Sequence, residues 1–235
     1  MINKQELKRI CSEINVELDD IALDRFDKFA ELLVEKNKVL NLTAITEPDE
    51  IIVKHFADSL TALSVIDVPR GAKIIDVGTG GGFPGIPLLI ARPDIELTML
   101  DSTKKKLAFV QEAVDELGLN AVVLHKRAEE AGQSELRESF DFCVSRAVAA
   151  LNVLSEYCIP FVKVNGTFLA MKGAKGNEEL DVAKKAIPAL GGKVINKKSI
   201  ILPDGGERIL IDIKKISHTA TKYPRVSAQI SKKPL

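Results

Sequence analysis

The sequence predicts an α/β fold: a mostly parallel seven-stranded sheet that ends in an antiparallel hairpin, preceded by an N-terminal helical lobe. Three features predict it. The first fifty residues carry helical periodicity and no strand pattern. From Lys73 onward, short β-rich runs alternate with helical stretches, the signature of parallel strands joined by crossover helices. The last two runs are joined through Pro203-Asp204-Gly205-Gly206, too short for a helical crossover, so they must pair antiparallel at a sheet edge. The expected organisation is a helical extension over residues 1–66, a sheet domain over 67–216 and a basic tail over 217–235.

The elements follow in order. Leu7, Ile10, Cys11 and Ile14 share one helix face, and Asn3 with Glu6 forms a capping box before them. A second helix is predicted from about Ile21 to Leu40, with Ala22, Phe26, Phe29, Ala30 and Leu33 on its apolar face and Asp19 or Asp20 as cap. A third begins after Thr46, with Pro48 in its first turn, and runs towards Val65. Strands are expected at Lys73–Val77, Glu96–Leu100, Ala121–His125, Phe140–Val144 and Thr167–Met171, then over about Lys193–Ile201 and Arg208–Ile216. The clearest intervening helix is Lys105–Leu117, stopped by Gly118.

At 235 residues and 46% hydrophobic content, the chain can bury a sizeable core without staples. No apolar run nears the about 20 residues of a membrane helix, and the N-terminus has no signal-peptide pattern, so a cytoplasmic protein without membrane association is expected. Cys11, Cys143 and Cys158 are widely spaced among apolar neighbours and read as reduced core filler; no metal site is expected. The net charge of zero hides an asymmetry. Residues 1–50 hold seven Lys/Arg against twelve Asp/Glu, whereas residues 213–235 hold six Lys/Arg and no acid. A basic tail of this kind is either solvated or a phosphate-binding patch.

The chemistry concentrates at Asp76-Val77-Gly78-Thr79-Gly80-Gly81-Gly82-Phe83-Pro84-Gly85, which joins the first strand to a helix. Glycines there let a ligand approach the backbone, and the helix start offers N–H donors to an anion. Two cofactors use such a loop. Gly80-x-Gly82-x-x-Gly85 with Asp101 about 20 residues beyond fits a dinucleotide fingerprint. The order Asp76, Gly78, Gly80, Gly82 instead resembles the first motif of Rossmann-like S-adenosylmethionine (SAM) methyltransferases, class I, and the terminal hairpin favours that reading. In those enzymes an acid sits beside the methionine end of the cofactor, the place of Asp76. A second acid, the place of Asp101, takes the ribose diol, for which two carboxylate oxygens suit two O–H donors.

Two methylation chemistries lack support. After the fourth strand stands Val144-Ser145-Arg146-Ala147-Val148 rather than the Asn/Asp-Pro-Pro-aromatic motif of amine methylation. Cys158-Ile159-Pro160 has the wrong order for a Pro-Cys nucleophile. The segments Asn41-Leu42-Thr43, His55-Phe56-Ala57-Asp58-Ser59-Leu60, Gly78 to Pro87, Leu100-Asp101-Ser102, Ser145-Arg146-Ala147 and Tyr223-Pro224-Arg225 together resemble the RsmG (GidB, glucose-inhibited division protein B) family. These are bacterial 16S rRNA guanine-N7 methyltransferases. The resemblance spans nearly the whole chain. It implies a SAM-dependent transfer to N7 of one guanosine in the 530 loop of 16S rRNA (guanine 527 in the usual rRNA numbering), with rRNA or the small ribosomal subunit as partner and a monomeric enzyme. The rivals are a methyltransferase of another substrate, or a SAM- and RNA-binding protein without catalysis.

The resemblance also assigns roles. Gly78, Gly80 and Phe83 line the cofactor loop, Asp101 holds the ribose, Ala128 and Glu129 flank the adenine, and Arg146 faces the reacting centre. The charge asymmetry, together with Lys172-Gly173-Ala174-Lys175-Gly176, places RNA phosphates against Lys172, Lys175, Arg225, Lys232 and Lys233. His55 and Asp58 are three apart and share a helix face, which reads as structural hydrogen bonding ahead of the alternative, a role at the substrate. The tail departs from the family pattern, with Ala228 and Ile230 where glycine and proline are expected.

Overall fold

The computed structural model describes residues 1–235. Helix α1 spans Lys4–Glu13 and α2 spans Asp20–Leu40. The Asn3 side chain accepts from the Glu6 N–H, and Asp19 accepts from the Ala22 N–H, so both predicted caps form. Asn41 ends α2 in the left-handed region, with φ of 50°. A composite helix, α3, covers residues 48–64. Its middle, Ile51–Ala57, is π-helical, and its last turn, Thr61–Ser64, is 3-10.

The sheet contains β1 (Lys73–Val77), β2 (Glu96–Asp101), β3 (Ala121–His125), β4 (Phe140–Arg146), β5 (Val162–Lys172), β6 (Gly192–Ile201) and β7 (Glu207–Lys215). Their order is β3-β2-β1-β4-β5-β7-β6, parallel except at β7, which runs antiparallel to both β5 and β6. The crossovers carry α4 (Gly85–Ala91), α5 (Lys104–Glu116), α6 (Ala128–Ala131), α7 (Leu151–Cys158), α8 (Gly176–Val182) and α9 (Ala186–Ala189); α10 (Ser227–Lys232) closes the chain. No helix is long and apolar enough to cross a membrane.

The period-2 alternation of the strands divides the core between the two sheet faces. On β1, Ile74 joins one buried cluster and Ile75 and Val77 the other. The first cluster, of 41 residues, runs from Ile2 through α2, α3, α4 and α5 to Leu210. The helical extension therefore shares its core with the sheet. Phe29 is its hub: its ring lies 5.7 Å from Phe56, 5.3 Å from Phe83 and 6.3 Å from Phe109. Burial of each such ring contributes about 1.5–3 kcal/mol. The second cluster holds α7, α9 and the tail residue Tyr223, and includes Cys143 and Cys158; all three cysteines are buried and free.

The tail is strapped down rather than solvated. Arg137 donates to the carbonyls of Thr219 and Tyr223, and Gln133 donates to those of Thr221 and Pro224. Ile230, at the position that departs from the family pattern, is fully buried and anchors α10.

Candidate active site

The chain reverses direction across the sheet between β1 and β4, and the carboxyl ends of the strands open there onto a cleft of about 500 Å³. Such a switch point is where open α/β sheets bind ligands. Four successive strand ends supply the cleft walls: the glycine turn after β1, Asp101 at the end of β2, Ala128 and Glu129 after β3, and Arg146 at the end of β4. Residues scattered over seventy positions of sequence therefore meet at one opening.

The glycine turn is built from its own backbone. Gly78 and Thr79 donate their N–H groups to the Leu100 carbonyl, which ties the turn to β2. Gly78 has φ of +77°, and a Cβ there would lie 2.3 Å from a Val148 methyl carbon. Gly80, at φ +57°, faces open space instead: no side chain lies within 4 Å of where its Cβ would stand. A ligand can therefore lie against the backbone at this point. Asp101 links turn to rim, since its Oδ2 accepts from the Gly80 N–H at 2.9 Å and its Oδ1 from the Thr103 N–H at 2.8 Å. Each oxygen retains a second lone pair for a hydroxyl donor.

Asp76 requires a correction. It is fully buried beneath the turn and does not line the cleft. Its Oδ2 accepts from the Thr79 hydroxyl at 2.6 Å and the Gly85 N–H at 2.9 Å, while Oδ1 has no partner. Burial pushes its carboxyl up to about 7, against the pull of those two donors. Asp76 holds the loop in shape from below. The start of α4 is spent the same way, with the Gly85 N–H on Asp76 and the Ile86 N–H on the Gly82 carbonyl, so these donors do not face a ligand.

Phe83 lines the cleft but is 7% exposed and packs mainly into the Phe29 cluster. Its ring stacks on His55 at 4.4 Å, and the Arg146 guanidinium lies 5.3 Å from its centroid. Arg146 Nη1 donates to Asp58 Oδ2 at 2.9 Å and to the Lys54 carbonyl at 3.1 Å. Burial pulls this guanidinium below its ordinary value, and Asp58 opposes the pull. Arg146 Nη2 approaches His55 Nδ1 at 3.5 Å, and His55 Nε2 lies 2.8 Å from Thr43 Oγ1. A guanidinium only donates, so Nδ1 is the acceptor and the ring proton sits on Nε2. Burial first and Arg146 second push the His55 ring down to about 3. It is neutral and a poor base. Ala147, next in the chain, has φ of 57°, a left-handed conformation that costs a non-glycine residue of order 1 kcal/mol or more and turns the backbone at the cleft wall.

Glu129 lies in the cleft with its side chain only 10% exposed, 3.9 Å from Arg127. The cleft has further walls that sequence reasoning missed. Lys106, Lys126 and Arg127 stand at the rim, and Tyr157 and Ser227 line it with their hydroxyls 3.2 Å apart. The lysines after Asp101 were visible as a basic run. Nothing local marked Tyr157 or Ser227.

Two residues expected on a phosphate-binding face are not free cations. Lys172 is buried, 2.7 Å from Glu179 and bonded to the Ala149 carbonyl, because β5 carries it into the interior side of the sheet end. Arg225 makes a two-pronged pair with Glu156, which has no exposure at all, and its backbone N–H donates to the same carboxylate. Arg225 anchors the tail. Lys175, Lys232 and Lys233 are exposed.

A family model described as GidB, rRNA small subunit methyltransferase G, matches residues 22–205. The chain belongs to this family. Over 238 residues it is 49% identical to the Ribosomal RNA small subunit methyltransferase G of Alkaliphilus oremlandii, with 98% of this chain and 99% of that protein covered. Its counterpart in Desulforamulus reducens is 46% identical over 234 residues, with 97% of each covered. The solved structure of TrmN from Thermus thermophilus superposes with a TM-score of 0.55 at 15% identity, over 70% of this chain and 53% of that one, a likeness of fold alone. GidB family membership accords with the seven-stranded order and the glycine turn that the cleft is built on.

Proposed function

We propose that this GidB family chain transfers a methyl group from SAM to N7 of a single guanosine in the 530 loop of 16S rRNA. The observation that carries the reading is the convergence of the glycine turn, Asp101, Glu129 and Arg146 on one cleft, in a chain of an rRNA methyltransferase family.

The residues present fit the cofactor. The open side of Gly80 leaves room against the backbone, the free lone pairs of Asp101 suit a ribose diol, and the largely buried Glu129 side chain with the Ala128 backbone suits an adenine edge. When bound, SAM supplies an electrophilic methyl group. Guanine N7 offers a lone pair and carries no proton, so no side chain has to remove one. The cleft accords with that demand. His55 is neutral with its free lone pair turned to Arg146, and Asp101 is tied to two backbone donors. What the chain supplies is placement. Arg146 is held through Nη1 by Asp58 and the Lys54 carbonyl and through Nη2 by His55, which leaves Nε and one Nη2 N–H as donors suited to guanine O6. Such donation selects guanine over adenine, which carries an amine there.

The test is single-turnover methylation of 16S rRNA across pH. The expected rate lacks an ionisation of an essential base near neutrality. A profile that requires a deprotonated side chain in that range contradicts the N7 assignment.

A further inference from the structure

A second cavity, of about 560 Å³, adjoins the cofactor cleft and shares His55, Arg146, Ala147 and Val148 with it as a common wall. Four cationic side chains line it, Lys54, Arg146, Lys172 and Arg208, against two acids, Asp58 and Glu179. The lysines are locally neutralised: Lys172 by Glu179 at 2.7 Å, and Lys54 by Glu50 one helical turn away. The two guanidiniums share one carboxylate. Asp58 Oδ2 takes Arg146 at 2.9 Å and Asp58 Oδ1 takes Arg208 at 2.8 Å, with Asp58 only 4% exposed. Asp58 thus serves two guanidiniums, and Arg208, the more exposed of the two at 22%, has no carboxylate of its own. An anion that meets Arg208 supplies the second counter-charge.

Arg208 comes from β7 and does not line the cofactor cleft, and nothing in the methyl-transfer chemistry uses it. It spends Nε on Asp58 and Nη1 on the Glu207 carbonyl, while Nη2 makes no bond within the protein. A partly exposed guanidinium edge, held rigid by a buried carboxylate, is suited to a phosphate oxygen. A phosphodiester carries the single negative charge that the wall lacks.

We propose that this second cavity is a phosphate subsite, in which Arg208 binds the phosphate of the nucleotide whose base is presented to Arg146 and the cofactor cleft. The inference rests on the reading of the chain as an rRNA methyltransferase. It divides the labour of the two arginines on Asp58: Arg146 to the base, Arg208 to the backbone. Selection of a nucleotide, rather than a free base or nucleoside, then resides in β7.

The experiment measures equilibrium binding of guanosine 5′-monophosphate and of guanosine, with S-adenosylhomocysteine present so that no turnover occurs. The expected result is at least about tenfold tighter binding of the monophosphate, a difference of about 1.4 kcal/mol. In Arg208→Gln that ratio should collapse towards one with guanosine affinity unchanged, and in Arg208→Lys it should be partly restored. Equal wild-type affinities, or an unchanged ratio in Arg208→Gln, overturn the subsite, and the wild-type ratio decides the matter even if the variant fails to fold. A parallel methyl-transfer assay on 16S rRNA separates the two readings. Transfer without a monophosphate preference refutes the subsite alone, and a monophosphate preference without transfer refutes the reaction but supports the anion site.

Discussion

Asp58 of the helical extension and Arg146 at the end of β4 are joined by a 2.9 Å ion pair across 88 residues, with side-chain exposures of only 4% and 12%. The pair fastens the helices before β1 to the sheet at the point where the strand-end cleft meets the second cavity. A buried ion pair rarely adds net stability over an apolar substitute, but removal of one partner strands the other. Asp58 has two partners to strand, since Arg208 lies 2.8 Å from its other oxygen.

Asp58→Ala should therefore cost about 3–5 kcal/mol in urea unfolding, and Asp58→Asn less, since an acceptor oxygen remains. Methyl transfer should fall in both variants, because Arg146 loses its anchor. A loss within about 0.5 kcal/mol for Asp58→Ala, the range of ordinary surface changes, would show that the pair is not structural.

Asp101→Ala should weaken SAM binding by about 1–3 kcal/mol, read by calorimetry. Part of the loss is direct, through the ribose hydroxyls. Part comes from release of the Gly80 N–H, which Asp101 holds at 2.9 Å. Unchanged affinity removes Asp101 from the site.

Much of this architecture is legible in the sequence. β1 and β3 have the bounds that their apolar runs predicted, and the hairpin followed from a four-residue connection. β5 was placed too late. It starts at Val162, but Asn165, at φ 70°, and Gly166 interrupt the run with residues that read as a turn. Within the site, the glycine turn and Asp101 were legible because backbone geometry and short spacing define them. Asp58 with Arg208, Thr43 with His55, and Tyr157 with Ser227 were not, because each pair is made only when distant elements pack. Lys172 and Arg225 were misplaced for the opposite reason. Charge alone argues for exposure, and only the fold reveals Glu179 and the buried Glu156 that engage them.

Two buried groups should bend the stability–pH curve in opposite directions. Unfolded histidine titrates near 6.5, whereas His55 is held down to about 3 by burial and Arg146. Between those values the unfolded chain binds the proton, so stability is full above 6.5 and is lost as pH falls towards 3. Asp76 is raised from 3.8 to about 7, so its contribution is full below 3.8 and is lost as pH rises towards 7. From about pH 4 to 6, His55→Gln should make the slope of stability against pH more negative and Asp76→Asn more positive. Denaturant titrations across that range check both signs; a shift of the same sign in both variants contradicts the assignment.

The tail separates anchoring from phosphate contact. Arg225→Ala strands the fully buried Glu156 and should cost about 3–5 kcal/mol, with early proteolytic loss of residues beyond 217. Lys175, Lys232 and Lys233 are exposed, so their triple alanine variant should keep its stability within about 0.5 kcal/mol each. That variant should bind rRNA more weakly, with the slope of log affinity against log salt reduced by roughly 0.7 per lost single-strand contact. A salt slope that does not move assigns these lysines to solvent.

The central claim is a methyl group on N7 of one guanosine, and its most direct measurement is position-resolved mapping of the product. Small-subunit rRNA, free and within assembled subunits, is incubated with SAM carrying a tritiated methyl group and with enzyme, then cleaved by chemistry specific for N7-methylguanosine. The account predicts cleavage at a single guanosine in the 530 loop, dependent on enzyme and abolished or sharply reduced in Arg146→Ala. Label on an exocyclic amine, at a different nucleotide, or on no RNA at all contradicts it.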